Sequence, residues 1–221
     1  MTQVIDLSVL VDTETKGPPS TNVRVELEYF QRGPGHWQVC SIRQSIHTGG
    51  HVDSPLHCFE NGITMAEVPL SNVIGEAVVL DCAPCEPSHG LTPADFEKCG
   101  VEVREGDIVL LRTGWTDRMW GNFPEYFTTS PYLTREGAHW LVERKPKAIG
   151  FDFFEEYMAR FPDFTSEDFV VHRIILGSGI TIMEGMTNLG AVTGRRFNFF
   201  GPWWNVANTE GAQARFFAVL D

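Results

Sequence analysis

The sequence predicts a mixed α/β protein whose first third is rich in strand. Two patterns carry that expectation. Up to about residue 60 the apolar residues fall in short extended runs; beyond that, apolar runs of strand length alternate with capped helical segments. Length and composition agree, since 221 residues with 43% hydrophobic side chains suffice for one domain with a sizeable core.

The elements follow in order. Val4 to Leu10 is a short apolar run. Val23 to Phe30 (VRVELEYF) alternates with period two, as a half-buried strand does, and Trp37 to Ile46 is β-leaning and leads into a Gly-rich loop. Glu76 to Asp81 (EAVVLD) is a buried strand. Thr92 then caps a short helix, with Pro93 at its first position and Asp95 three residues after the cap. Ile108 to Leu111 is the next strand, Thr134 to Lys145 a helix, and Lys147 to Asp152 a strand. Ser166-Glu-Asp168 is expected to cap a helix running through His172 to about Leu176, where Gly177 and Gly179 break it. Ile180 to Met183 forms a strand ending at Glu184, and Arg215 to Leu220 the last strand. No repeat, low-complexity tract or linker divides the chain, so residues 1–221 are expected to form a single domain.

Seventeen Lys and Arg against twenty-nine Asp and Glu leave a formal charge of −12. So acidic a protein gains nothing from counterion release at a phosphate backbone, which argues against nucleic acid as a partner. The N-terminal MTQVIDLSVLVDTE has no basic segment followed by an apolar one, and no stretch reaches the ~18 apolar residues of a membrane span. Five scattered cysteines point to reduced thiols, so a cytoplasmic setting is expected. Cys82 and Cys85 form a lone C-x-x-C, with Pro84 and Pro87 marking a loop, not a zinc or redox site.

The chemistry concentrates in His47-Thr-Gly-Gly-His51-Val-Asp53-Ser-Pro-Leu-His57. Imidazole and carboxylate are the usual ligands of zinc and other divalent transition metals. Gly49, Gly50 and Pro55 argue against one continuous helix here. A loop folding back on itself can instead bring His47, His51 and Asp53 around one point, its glycines letting the backbone approach closely. A lone His is usually solvated or core; four donors in so short a segment predict a metal site.

This run resembles the H-T-G-T-H-x-D-x-P-x-H signature of the cyclase-family metal-dependent hydrolases, which include the bacterial kynurenine formamidases and the isatin hydrolases. Val4-Ile-Asp-Leu-Ser8 looks like that family's opening strand. Gly106-Asp-Ile-Val-Leu-Leu-Arg-Thr-Gly-Trp115 resembles its G-D-x-V-L-x-R-T-G-W, and Ile149-Gly-Phe-Asp152 its I-G-x-D. His172, followed by Glu184 in V-H-R-I-I-L-G-S-G-I-T-I-M-E, matches its helix histidine and strand-end glutamate. Three departures stand out: Gly50 occupies the usual Thr position, Gln213 replaces Pro in Gly211-Ala-Gln-Ala-Arg215, and the region after Ser8 lacks the Trp-bearing loop of the kynurenine formamidases.

The resemblance implies a single mixed sheet with helices, of the swivelling β/β/α type, and a site for two divalent ions, Zn or Mn. His47, His51 and Asp53 would hold the first ion; Asp53 and Glu184 would bridge; His172 would complete the second. By residues alone, His172 and Glu184 read as a buried helix histidine and a solvated strand-end acid, and only the resemblance makes them ligands. His57 would be the general acid/base, since an imidazole can take a proton from water and return it to a leaving nitrogen. The implied enzyme is an amidohydrolase cleaving a C–N bond in a small amide, formamide or cyclic amide, N-formylkynurenine and isatin-like rings or a lactone being candidate substrates. A lyase or cyclase, and a non-catalytic metal-binding subunit, are the other readings. A homodimer or homotetramer is implied as well. Phe197, Phe199, Phe200, Trp203 and Trp204 form one aromatic group and Phe151, Phe153, Phe154 and Tyr157 another; either could line an aromatic pocket or belong to core or interface. His36, His89 and His139 receive no role.

Overall fold

A computed structural model of the protein describes residues 2–21 and 24–220. Its strands are β1 (Gln3–Asp6), β2 (Glu26–Gln31), β3 (Gln38–Arg43), β4 (His51–Asp53), β5 (Ile74–Asp81), β6 (Gly90–Leu91), β7 (Ile108–Arg112), β8 (Tyr132–Leu133), β9 (Ala148–Phe151), β10 (Thr181–Glu184), β11 (Phe197–Phe200), β12 (Gly211–Gln213) and β13 (Phe217–Leu220). The helices are α1 (Pro93–Lys98), α2 (Trp115–Met119), α3 (Glu125–Thr128), α4 (Arg135–Val142) and α5 (Val170–Gly177). One mixed sheet has the order β1-β13-β11-β5-β7-β9-β10-β4-β12. β5, β7, β9 and β10 run parallel, and antiparallel strands extend the sheet on both sides. The expected mixed α/β class is the observed one.

Continuous apolar runs form the parallel centre because both faces are covered. In β5, Val78 and Leu80 point into one core with Phe96, Leu141, Ile175 and Leu176 of α1, α4 and α5. Ala77 and Val79 point into the other, with Leu7, Met65, Phe199 and Phe216. Thr92 and Asp95 make the expected reciprocal cap of α1. Thr134 caps α4, which ends at Val142, ahead of Lys145.

Two expectations need correction. Ser166–Asp168 is a separate 3₁₀ turn, closed by a Thr165–Asp168 capping box, and does not cap α5. The first amides of α5 are instead taken up by Glu156, far upstream: its carboxylate accepts from the backbone N–H of Val170, Val171 and His172 at 3.3, 2.9 and 3.2 Å. The strand expected from Val23 begins at Glu26, Val23 itself lying outside the described residues. β2 and β3 form a hairpin apart from the large sheet, pairing Leu27 with Ile42 and Tyr29 with Cys40 on one face.

Candidate metal centre and substrate pocket

The ends of three adjacent strands bring the site together. β10 pairs antiparallel with β4, which sets Glu184 opposite His51 and Ile182 opposite Asp53. The alternation of β4 turns His51 and Asp53 to one face while Val52 goes into the core. Gly185, just past β10, turns at φ +72°, and a Cβ there would lie 2.1 Å from the Gly49 carbonyl oxygen. That close approach presses the histidine loop onto the end of β10. His172 enters from the first turn of α5, and Pro55–His57 forms a 3₁₀ turn that carries His57 over the group.

His47 Nδ1 lies 3.0 Å from Asp53 Oδ1, and His51 Nε2 lies 3.6 Å from the same oxygen. His172 Nε2 lies 3.1 Å from Glu184 Oε1 and 3.7 Å from Asp53 Oδ2. All five residues expected as ligands therefore meet at one place. The tautomers are set from behind. His51 Nδ1 is 2.9 Å from the Gly49 carbonyl, to which it donates, and His172 Nδ1 is 3.3 Å from Glu156. In both rings this leaves Nε2 to face the centre. His57 stacks on His47 at 4.1 Å between ring centroids and stands 5.6 Å from His172.

Burial pushes the Asp53 and Glu184 carboxyls upward, but the neighbouring histidines outweigh it. Asp53 sits well below the ordinary carboxylate range and Glu184 at about 2. His47 also feels burial as a downward push, which Asp53 and Glu210 reverse to about 10. Burial lowers His57 to about 4, so its ring is neutral at neutral pH.

The donor set fits a divalent cation on the structure's own terms. Among the described residues, His51 Nε2 and both oxygens of Asp53 are buried without a well-formed hydrogen bond, Asp53 meeting its histidines only as ion-pair contacts, which an isolated protein interior does not tolerate cheaply. Three overlapping sets of ligand atoms lie within 4.8 Å of one another: His47, Asp53 and His57; His51, Asp53 and Glu184; and Glu155, His172 and Glu184. Among the described residues no cysteine joins them; Cys82 faces Cys99, at 3.7 Å between sulfurs, and not Cys85.

Three acids escaped the sequence reading: Glu155 and Glu156 beside His172, and Glu210, 3.2 Å from His47 Nε2. One signal was available for the first two. Paired carboxylates inside the apolar run Phe151-Asp-Phe-Phe-Glu-Glu-Tyr157 at a strand end are out of place unless they are engaged.

The centre opens on a cavity of about 180 Å³ lined by Trp120, Tyr126, Phe127, Phe153, Phe154, Phe164 and Phe169, the last stacked on His172 at 3.9 Å between ring centroids. Of the aromatic groups read from the sequence, only Phe153 and Phe154 reach it. Phe151, Phe197 and Phe199 are core, Phe200 stacks on Phe217, and Tyr157 packs against Tyr132.

The two unusual positions meet. A Cβ on Gly50 would lie 2.9 Å from the carbonyl oxygen of Ala214, so the absence of a side chain lets the end of β12 draw close. Ala214 N–H donates to the Gly50 carbonyl at 2.9 Å. The neighbouring Gln213 then spans to the histidine loop, its Nε2 donating to the carbonyls of Ser45 and Ile46 at 3.1 and 2.9 Å.

The sequence profile of the Cyclase family, described as putative cyclase, matches residues 5–155, and the chain belongs to that family. A kynurenine formamidase of Bacillus mycoides (strain KBAB4) is 25% identical over 185 residues, covering 83% of this chain and 82% of its own. Another, of Geobacillus thermodenitrificans (strain NG80-2), is 28% identical over 190 residues, with 82% and 81% covered. The fold is also that of isatin hydrolase A of Labrenzia aggregata, solved bound to benzyl benzoate (TM-score 0.82, 23% identity, 99% of this chain and 94% of that one covered).

Proposed function

We propose that this protein hydrolyses the C–N bond of a small aromatic formamide or cyclic amide at the histidine–carboxylate centre. It is a metal-dependent amidohydrolase. One observation carries the substrate class: His51, whose Nε2 has no hydrogen-bond partner among the described residues, joins His47, His172 and Glu184 in lining an aromatic-walled cavity of about 180 Å³, close to the ~150 Å³ that accepts benzene in an apolar protein cavity. The whole chain, residues 1–221, acts as one domain, in a cytoplasmic setting consistent with its five free cysteines.

His47, His51 and Asp53 would hold one ion and His172 a second, with Asp53 and Glu184 shared between them. Bound there, two divalent ions, Zn or Mn, supply hydroxide from water at neutral pH and polarise the substrate carbonyl. The protein's own groups do the rest. The neutral His57 imidazole takes the proton released by the attacking water and returns it to the departing nitrogen. Phe153, Phe154, Phe169 and Trp120 orient the ring and keep bulk water from it. The names of the relatives make an N-formylkynurenine-type formamide and an isatin-type ring the first substrates to assay.

Elemental analysis of the purified protein, with assays of both substrates and a lactone panel in added Zn or Mn, tests this reading. Metal-dependent turnover that places one solvent oxygen-18 in the product is the expected result. Product free of solvent oxygen would assign a lyase, and a metal-loaded protein inert across the panel would assign a non-catalytic role.

The hairpin β2–β3 favours a homodimer or a homotetramer built from it. Tyr29, Phe30, Trp37, Val39 and Ile42 are 40–57% exposed on it, and an isolated two-stranded hairpin has too little of its own to bury. Replacing Tyr29 and Ile42 by Ser should shift the mass seen by light scattering toward the monomer; an unchanged oligomer would clear the hairpin of that role.

A further inference from the structure

Glu155 has no assigned task, and its surroundings give it one. It follows β9 in an aromatic run and is 0% exposed. Neither of its carboxylate oxygens has a hydrogen-bond partner among the described residues. Oε1 stands 3.4 Å from His172 Nε2, too poorly directed to count as a hydrogen bond, and that nitrogen already faces Glu184 at 3.1 Å. The other nitrogen of His172 is matched to Glu156. A third carboxylate is therefore surplus to the needs of one imidazole. A buried carboxylate persists when it is paired or coordinates a metal.

We propose that Glu155 is a protein ligand of the ion at His172, so that this second site is built from one imidazole and the three carboxylates Glu155, Glu184 and Asp53. The donor atoms of Glu155, His172 and Glu184 lie within 4.8 Å of one another, a span that an ion bonded at about 2.0–2.2 Å closes with small side-chain shifts. Charge points the same way. Two divalent ions bring four positive charges to the interior, against which Asp53 and Glu184 supply two negative ones; Glu155 supplies a third. Glu155 also gives the two sites different chemistry. The His47–His51 side is rich in nitrogen, whereas the His172 side is rich in oxygen, which favours harder ions such as Mn²⁺.

The assignment rests on the two-ion reading above, so its test separates the two. Wild-type protein and Glu155→Gln, both stripped with chelator, are titrated with Zn²⁺ and separately with Mn²⁺ against a competing indicator, and stoichiometry is checked by elemental analysis. The expected result is two ions in the wild type. In Glu155→Gln the first ion binds as before and the second at least about tenfold more weakly, with Mn²⁺ losing more than Zn²⁺. Stripped Glu155→Gln should melt close to the wild-type temperature, because burial beside Glu184 already pushes the Glu155 carboxyl well above the ordinary carboxylate range, and Gln is a neutral side chain of the same shape. Equal affinity of both ions for the two proteins would overturn the assignment and leave the hydrolase reading intact. So would a single wild-type ion that the substitution does not affect. A stripped variant that fails to fold would make Glu155 a structural partner and refute its role as ligand, and Glu155→Asp with wild-type stability but a weakened second ion would reinstate it. A wild-type protein that takes up no divalent ion would sink both readings.

Discussion

His57 sits between His47 and His172, buried over the site, and that position decides what it can do. Burial is the largest force on it and brings its pKa down to about 4 against the opposing pull of Asp53 and Glu184. A lowered histidine pKa widens the range in which the ring is a free base. The base form, normally lost as pH falls through about 6.5, persists here to about 4. The acid limb of kcat/KM should therefore show no inflection near pH 6.5 while metal content, followed at each pH, stays constant. His57→Ala should keep its metal and lose at least about a hundredfold in turnover; parallel loss of metal would make His57 a ligand. At this scale the sequence was informative. His47, His51, Asp53 and His57 lie in one short segment whose Gly and Pro exclude a single helix, although the structure sets His51 and Asp53 on β4 where a folded-back loop was expected. Glu155 and Glu156 were marked only by their place inside an apolar run, and Glu210 by nothing, because what gives each its role is the partner it meets in space, which composition does not record.

The elements that hold these residues were unevenly readable. α1 announced itself, since Thr92, Pro93 and Asp95 cap it within four positions. α5 did not, because the group satisfying its first amides, Glu156, comes from the far side of a long connection. A local capping rule finds the nearer Thr165–Asp168 pair instead, which closes its own turn. β12 shows a similar nonlocal link through Gln213, whose amide holds the carbonyls of residues 45 and 46 just ahead of His47. Gln213→Ala should free that loop. We expect faster amide exchange over residues 45–48 and a first-ion affinity about tenfold lower, as for other losses of outer-shell support, with the second ion unaffected. Unchanged exchange in that loop would show that Gly185 and Asp53 alone position it.

Across the whole molecule the site ties together β4, β9, β10, β12 and α5, so binding there should brace the fold. An ion held at a thousandfold above its Kd adds about 4 kcal/mol to stability by mass action. For a chain of this size that raises Tm by roughly 10 °C, since about 2–4 °C accompany each kcal/mol. Chelation should lower the melting temperature by that order, and restoring Zn or Mn should bring it back; a melt indifferent to chelator would mean the elements are held without the ion. The hairpin belongs to the same scale, because apolar side chains stay exposed on both its faces, Tyr29 and Ile42 on one and Phe30 and Val39 on the other.

By itself the sequence determined the class of the sheet, through apolar runs of strand length, and the identity of the first ligands, through their crowding in one short Gly-containing segment. Both are local: period, propensity and spacing act over a few residues. The tertiary structure decided which of the remaining carboxylates face the centre, which aromatics wall the cavity, and how the changes at Gly50 and Gln213 accommodate each other. Those outcomes depend on strand order and register, which bring His51 opposite Glu184 and Glu156 beneath α5. Such pairings are fixed by burial on both faces of the sheet and leave no periodic trace in the chain.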